Sequence, residues 1–262
     1  MKQQVFFRIA AYFEYWRRAK GAHSIHSPFV FELYNEVIIS HKMYYAFEEI
    51  ENLRTTLLRN YEKIKVQDYG AGPSFFSRKQ RSISSIVRYS AASPKKGQLL
   101  FKLVNFFQPN AILEFGTSVG ISTLYLHLAK RKATLITVEA DSYLARLAQA
   151  HFCLVGASIE SKIGNLDTLL PQIVLEIPKI DFVYFDANHR YESTLHYFET
   201  CLPKVHNETV FVLDDIYWSV EMKKAWQTIQ HHPLVTMTID LFDIGIVFFR
   251  KQQAKQHFVL KW

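Results

Sequence analysis

The sequence predicts an α/β fold in which strands and helices alternate, and three observations support this prediction. The stretch Ala111–Leu126 joins a short apolar run to a helical apolar repeat through two glycines. Beyond it, strand-like and helix-like segments alternate regularly, which requires parallel strands joined by right-handed crossovers. Only residues 241–243 separate the last two strand-like segments. That link is too short for a parallel crossover, so these two segments should form an antiparallel hairpin.

The individual elements follow from the same patterns. Seven strands are expected near residues 112–115, 135–138, 158–163, 181–185, 209–213, 234–240 and 244–250, with helices near 121–130, 141–152, 166–175, 190–202 and 218–231. Upstream helices are expected at 1–20, after Ser27-Pro28, at 47–60, at 82–89 and from Ser93-Pro94 to Phe107. We therefore predict an N-terminal helical extension with a basic loop at 1–92 and the main domain at 93–262.

The glycine turn after the first strand of this domain has the features of a nucleoside-binding turn. Gly116 and Gly120 allow a ligand to lie on the main chain, where the N–H groups of a helix start face the crevice. Glu139 ends the next strand, some 20 residues beyond the first glycine. An acid at that position can accept hydrogen bonds from both hydroxyls of a ribose. The turn and the acid together predict a nucleoside cofactor.

Two residues of this region distinguish between nucleoside cofactors. Ser118 stands where a dinucleotide-binding turn would have its middle glycine, which disfavours a pyrophosphate. Glu114, just before the turn, suits a cationic ligand. S-adenosylmethionine carries both a sulfonium and an amino group, and it is the cofactor that these residues favour.

These motifs resemble a known family. The pattern E-x-G-x-x-x-G-x-S, the strand-end Glu139 and Lys96-Gly97-Gln98 one helix upstream look like class I S-adenosylmethionine-dependent O-methyltransferases. The resemblance is to the catechol O-methyltransferase-like group and its bacterial sugar-methylating relatives, and it covers about residues 93–251. It implies a Rossmann-like seven-stranded methyltransferase sheet whose last strand is antiparallel. From the resemblance and the strand-end positions, the predicted cofactor-binding residues are Glu114, Gly116, Gly120, Ser122, Glu139, Asn165, Asp186 and Gly97.

Carboxylates follow two further predicted strands. Asp186 comes after the apolar run 182–185, and Asp214 with Asp215 comes after 210–213. Ligands of open α/β sheets bind at the carboxyl ends of the strands, so these carboxylates should converge. A cation would relieve their repulsion, and oxygen ligands select Mg²⁺, Mn²⁺ or Ca²⁺. We predict a metal site at Asp186, Asp214 and Asp215; the alternative is that these acids cap helices.

The resemblance also implies a mechanism, in which a methyl group passes from the sulfonium to a hydroxyl oxygen. In metal-dependent relatives the three ligand positions are Asp, Asp and Asn, and Asp215 here replaces the Asn as in the sugar-methylating branch. The metal would stabilise the alkoxide, and a nearby base would remove the proton. His189, three residues after Asp186, is the predicted base, although catechol O-methyltransferase uses a lysine in this region. The alternative is that His189 only caps the following helix.

Composition limits the class of protein. With 262 residues and 49% hydrophobic residues, the chain is long enough for one large α/β domain with an extension. The two cysteines, Cys153 and Cys201, form no C-x-x-C motif, which predicts a reduced, cytoplasmic compartment. Residues 1–20 should form an amphipathic helix. That helix could pack on the domain, pair across a homodimer, or lie on a membrane surface.

The net charge of +7 comes from one stretch of the sequence. Residues 69–113 contain no acid between Tyr69 and Leu113 and seven basic residues: Arg78, Lys79, Arg81, Arg88, Lys95, Lys96 and Lys102. This stretch could meet an anionic substrate, an RNA backbone or lipid headgroups, or it could be a solvated face. The Asp68–Gly72 segment resembles a nucleotide-binding turn, but its context predicts a loop that folds over the active site.

The expected partner is a small-molecule hydroxyl acceptor, which could be anionic. An RNA-modifying methyltransferase that uses the basic stretch is the first alternative. Against it, the sequence has no N/D-P-P-Y motif and no recognisable RNA-binding module. The second alternative is a non-catalytic scaffold that binds the cofactor or a membrane.

Overall fold

The computed structural model describes residues 2–66 and 80–262 of the chain. These residues form two compact units, one consisting of Met1–Ser40 with Ile173–Trp262 and the other of His41–Gln172. The predicted active-site loop Asp68–Gly72 lies outside the described residues, as do Arg78 and Lys79.

The helices and strands lie close to the predicted positions. In chain order the helices are α1 (Lys2–Arg18), α2 (Pro28–Leu33), α3 (Tyr45–Leu58), α4 (Ile83–Tyr89), α5 (Pro94–Phe107), α6 (Ile121–Ala129), α7 (Ser142–Leu154), α8 (Leu166–Glu176), α9 (Tyr191–Cys201) and α10 (Val220–His231). The strands are β1 (Lys63–Lys65), β2 (Gln80–Ser82), β3 (Ala111–Phe115), β4 (Thr134–Glu139), β5 (Glu160–Ile163), β6 (Phe182–Phe185), β7 (Val210–Asp214), β8 (Met237–Asp240), β9 (Ile244–Phe248) and β10 (Gln256–Val259). No described helix is both long and apolar enough to cross a membrane.

The 41–172 unit contains three parallel strands in the order β3, β4, β5. Strand β3 is buried along most of its length, as expected for a parallel strand covered on both faces. Helix α5 begins where the sequence predicts, because Ser93 Oγ accepts a hydrogen bond from Lys96 N and Pro94 occupies the first helical position. A separate antiparallel pair, β1 and β2, precedes α4.

The other unit contains five strands in the order β10, β8, β9, β7, β6. Strands β6 and β7 are parallel, whereas β9 runs antiparallel to both β7 and β8. The predicted hairpin after residue 240 is therefore confirmed, with Leu241 N donating to Ile244 O at 2.9 Å within the link. The α/β prediction, including the antiparallel strand, is confirmed.

Strand β10 is an addition to the predicted set, which had seven strands in the main sheet. It pairs in parallel with β8, from Gln256 opposite Met237 to Val259 opposite Asp240. Its four residues include two exposed ones and show no alternation of apolar and polar side chains, so the sequence pattern did not indicate it. Apart from the separate β1–β2 pair, the described residues hold eight strands, one more than the seven predicted.

Candidate active site

The turn between β3 and α6 has a backbone that few sequences could adopt. Gly116 and Gly120 have φ angles of 94° and 85°, in the left-handed region that glycine tolerates. Ser118 lies between them with φ of 50°, although it has a side chain. Non-glycine residues seldom adopt such angles, and those that do concentrate at functional sites. The turn thus has the strained form expected of a ligand-binding loop.

Glu139 and the glycine turn, which the sequence predicts to bind one ligand, lie in direct contact. Glu139 Oε2 accepts a hydrogen bond from Ser118 N at 2.7 Å, and Oε1 accepts one from Asp141 N at 2.9 Å. Burial raises the pKa of Glu139, and the backbone donors partly oppose that rise. A carboxylate offers about four lone-pair sites, so Glu139 can still accept a hydrogen bond from a ligand hydroxyl.

Glu114 has a different environment from the one its sequence position suggests. The side chain is fully buried, and Oε2 accepts hydrogen bonds from Thr123 Oγ1 at 2.5 Å and from Thr137 Oγ1 at 2.7 Å. Thr137 also lies 2.6 Å from Thr117 Oγ1 in the turn. Glu114 therefore joins β3 to β4 and α6. Its contact with a cationic ligand stays a prediction.

Three further predicted cofactor residues lie in the same unit and have structural contacts. A Cβ on Gly97 would lie 2.3 Å from the Tyr125 ring, so close packing of α5 on α6 accounts for this glycine. Ser122 is buried in the first turn of α6. Asn165 is exposed, and its Oδ1 accepts from Asp167 N at 2.9 Å at the start of α8. Cofactor contacts at Gly97, Ser122 and Asn165 remain predictions.

Two residues of α7 that the sequence analysis did not single out support the turn. His151 Nδ1 lies 2.9 Å from Val119 O, and His151 is buried. Burial lowers the pKa of His151, and a carbonyl only accepts, so the neutral ring donates from Nδ1. The ring of the neighbouring Phe152 packs against Gly120, because a Cβ added to Gly120 would lie only 2.6 Å from that ring. His151 and Phe152 therefore hold the glycine turn in position from α7.

In the other unit, the predicted carboxylates lie around one tyrosine. Tyr184 is fully buried in β6, and its hydroxyl lies 3.1 Å from Asp214 Oδ2 and 3.3 Å from Asp186 Oδ2. Asp214 Oδ1 accepts from Asp215 N at 2.9 Å. Convergence of Asp186 and Asp214 is thus observed. Tyr184 was hidden from sequence analysis because it reads as one more apolar residue of a buried strand.

His189 lies at the edge of this carboxylate cluster. Its Nε2 is 3.4 Å from Asp186 Oδ1. Burial lowers the pKa of His189, but the bond to Asp186 and the charges of Asp215, Asp186 and Asp214 outweigh burial and raise that pKa to about 9. Asn188, His189 and Asp215 all have positive φ, at 65°, 21° and 52°. Strained backbone therefore occurs here as well as at Ser118.

The cluster does not have the arrangement of a three-ligand metal site. Across residues 2–66 and 80–262, no group of three or more His, Cys, Asp or Glu side chains could hold a metal ion. The oxygen donors suit a hard cation. However, Asp186 has one oxygen directed to His189 and the other to Tyr184. The described geometry gives the metal prediction no support.

Two further features of the sequence have defined contacts in the structure. Tyr217, two residues after Asp215, is buried and donates to Asp240 Oδ2 at 2.7 Å, so it packs in the fold. Of the basic stretch, Lys102 is buried, with its pKa lowered by burial, and Arg81 Nη2 donates to Ser90 Oγ at 2.9 Å. These two basic side chains, Lys102 and Arg81, are therefore packed or hydrogen-bonded within the fold.

Comparison with known sequences identifies the domain. Residues 113–216 match the family of methyltransferase domains. A catechol O-methyltransferase of Niastella koreensis is 31% identical over 130 residues, which are 48% of this chain and 58% of that protein. An O-methyltransferase of Aspergillus hancockii is 29% identical over 163 residues, covering 60% of this chain and 63% of that protein. The chain thus spans less than two thirds of either relative.

Solved structures agree on the fold. A methyltransferase of Podospora anserina bound to S-adenosylhomocysteine superposes with a TM-score of 0.60 at 15% identity, over 81% of this chain and 91% of that one. An O-methyltransferase of Bacillus cereus in complex with S-adenosylhomocysteine gives 0.55 at 20% identity, over 80% and 93%. The chain therefore has the Rossmann-like fold of class I methyltransferases, as the motif from Glu114 to Ser122 and the strand-end Glu139 predicted.

Proposed function

We propose that this protein transfers a methyl group from S-adenosylmethionine to a hydroxyl oxygen of a small molecule. The observation that carries the proposal is the 2.7 Å contact between Ser118 N and Glu139 Oε2. It places the backbone of the glycine turn and the acid predicted for the ribose side by side. The relatives support oxygen as the acceptor atom, since two of them are named O-methyltransferases.

The 41–172 unit would hold the cofactor. Glu139 would accept from the ribose hydroxyls, and the strained backbone at residues 116–120 would lie against the adenosyl group. His151 and Phe152 would keep that backbone in place. The bound cofactor supplies a methyl group on a sulfonium, which bonds to the acceptor oxygen as the sulfur–carbon bond breaks and leaves S-adenosylhomocysteine.

The carboxylate cluster of the other unit would handle the acceptor. We assign removal of the hydroxyl proton to Asp186. His189, whose Nε2 lies 3.4 Å from Asp186 Oδ1, has its pKa raised to about 9 and is therefore charged near neutral pH, where it would orient Asp186 and not act as the predicted base. Tyr184 would keep the carboxylates of Asp186 and Asp214 close together through its hydroxyl. The acceptor is proposed as a small molecule in the reduced, cytoplasmic compartment that the two cysteines predict; both are free in the structure.

Divalent-metal assistance is kept as a separate part of the proposal. Asp186, Asp214 and Asp215 offer oxygen donors of the kind that Mg²⁺, Mn²⁺ or Ca²⁺ prefers. No step above depends on a metal, because the described side chains are not arranged as a three-ligand site.

The cofactor assignment is tested by calorimetric titration with S-adenosylhomocysteine. We expect Glu139→Ala to weaken binding by roughly 100-fold, because two hydrogen bonds to a charged group are lost. Glu160→Ala is the matched control, because Glu160 begins the neighbouring strand β5 and pairs with surface Lys162, at 2.8 Å. Equal affinity of the two variants would remove the ribose assignment. Failure of the wild type to bind would favour the scaffold alternative.

The metal is tested on its own. Titration of the wild type with S-adenosylhomocysteine, with and without Mg²⁺, and thermal unfolding in Mg²⁺ or in chelator would be compared with the same measurements on Asp215→Ala. If a metal binds, Mg²⁺ should raise the melting temperature of the wild type and not that of the variant. Unchanged melting in both proteins would exclude the metal while leaving methyl transfer intact.

A further inference from the structure

The first helix of the chain has one face fixed to its unit by several contacts. Ala11 and Tyr15 are buried, and the Tyr15 hydroxyl donates to Leu260 O at 2.6 Å. Arg8 pairs with Asp243 at 3.1 Å. These contacts tie α1 to residues 240–260 of the same unit and fix its orientation on that unit.

The opposite face of α1 carries large apolar side chains in solvent. They are Val5, Phe6, Ile9, Tyr12, Phe13 and Trp16, with exposed fractions of 49%, 70%, 50%, 48%, 65% and 62%. At about 100° per residue they fall within an arc of about 120°. Aromatic side chains offer roughly 150–250 Å² each, so this outer face reaches or exceeds the roughly 300–600 Å² of the largest apolar patch on a typical monomer.

The charges around the outer face have one sign. The first 20 residues contain five basic residues and a single acid, Glu14. Glu14 is directed toward the unit, where Oε2 accepts from Lys223 Nζ at 2.7 Å. Arg17, Arg18 and Lys20 are exposed at the end of the helix. The outer face therefore has a positive border and no described carboxylate on it.

The sign of this border distinguishes the two kinds of surface that could cover the face. If two copies paired through the outer face by a two-fold axis, each would present the same cationic border to the other. An anionic lipid surface complements that border, and it also accommodates Trp and Tyr at the depth of the headgroups. With 17 residues and Arg8 within it, α1 suits a helix lying in the membrane plane.

We propose that α1 binds the surface of membranes that contain anionic lipids, with Phe6, Phe13 and Trp16 inserted among the headgroups and Arg17 and Lys20 against the phosphates. The proposal does not depend on methyl transfer. It assigns a peripheral membrane site to the protein through a helix that its unit already holds with the apolar side outward.

Sedimentation of the full chain with phospholipid vesicles tests this site. We expect binding to vesicles of phosphatidylglycerol and phosphatidylcholine, and much weaker binding to phosphatidylcholine alone. The double variant Phe6→Ser/Phe13→Ser should bind at least about tenfold more weakly, because two exposed aromatic rings no longer enter the interface. Arg17→Gln/Lys20→Gln should lose roughly fivefold per charge.

A matched control replaces two apolar residues that are equally exposed elsewhere. Leu154 and Leu175 are 76% and 77% exposed, so Leu154→Ser/Leu175→Ser should bind vesicles like the wild type. Thermal unfolding should be unchanged in every variant, because all the substituted side chains are exposed. Loss of binding in the control, or no preference for phosphatidylglycerol, would overturn the proposal. So would a wild-type dimer in sedimentation velocity that ignores vesicles and that Phe6→Ser/Phe13→Ser converts to monomers.

Discussion

The glycine turn of the 41–172 unit and the carboxylate cluster of the other unit differ in what holds them together. At the turn, the decisive contact joins a backbone N–H, that of Ser118, to the side chain of Glu139. At the cluster, side chains bond to side chains: Tyr184 to Asp186 and Asp214, and His189 to Asp186. The glycine turn therefore depends on one side chain and on the conformation of the backbone. The carboxylate cluster depends on contacts among four side chains.

This difference explains why the turn is the more predictable of the two regions. A backbone shape follows from local sequence, here from two glycines at fixed spacing. Convergence of side chains depends on strand register and on residues 30 positions apart, such as Tyr184 and Asp214. We therefore expect substitutions at the turn to act through conformation, and substitutions at the cluster to act through charge.

The largest effect is expected at Gly120. Gly120→Ala places a Cβ 2.6 Å from the Phe152 ring at a residue with φ of 85°. Left-handed strain and overpacking together should destabilise the protein by about 2–5 kcal/mol and abolish tight binding of S-adenosylhomocysteine. Urea unfolding and calorimetry measure the two effects.

Gly156 provides the control for this prediction. It also has a positive φ, 62°, but nothing lies within 4 Å of its missing Cβ. Gly156→Ala should therefore cost only about 1 kcal/mol. Phe152→Leu should recover part of the stability of Gly120→Ala, since the smaller side chain makes room. Equal losses at Gly120 and Gly156 would contradict the packing explanation.

A smaller effect is expected at the carboxylate cluster. Tyr184→Phe removes the hydroxyl between Asp186 and Asp214 and should lower the free energy of unfolding by about 1–3 kcal/mol, because the buried Asp214 and the half-buried Asp186 lose a donor. Tyr143→Phe is the matched control, since Tyr143 donates to Glu62 at an exposed site, at 2.9 Å. That variant should lose less than about 1 kcal/mol. A larger loss at Tyr143 than at Tyr184 would show that the cluster is not held as described.

The smallest expected effect is a pH dependence at His151. Burial lowers its pKa in the folded protein below the ordinary value near 6.5. The unfolded chain then takes up a proton first as the pH falls, so the stabilising contribution is complete above about pH 6.5 and is lost below it. His151→Asn should show a shallower fall in melting temperature between neutral and mildly acidic pH than the wild type.

The difference in melting temperature between the wild type and His151→Asn, taken at each pH, isolates the effect of His151 from that of the other titrating groups. His127, His232 and His257 also have lowered pKa values and act in the same direction in both proteins. Parallel curves for wild type and variant would show that His151 does not titrate with unfolding.

The parts of the molecule that could be predicted from sequence are those with local causes. Helix α5 begins at Ser93-Pro94, and the hairpin follows from a three-residue link. The residues around Gly120 could not be predicted in full, because His151 lies 32 positions from Val119 and reads as part of an amphipathic helix. Strand β10 was missed because its partner β8, and not its own sequence, gives it strand form.

The division of the chain into its two units has a consequence for biosynthesis. The 41–172 unit is a continuous stretch, so it can fold as soon as it leaves the ribosome. The other unit combines residues 1–40 with residues 173–262, and the Tyr15 hydroxyl of its first helix bonds to the carbonyl of Leu260. Helix α1 therefore has to wait for a residue that is synthesised 245 positions later. During translation its aromatic rings are available to chaperones over that whole interval.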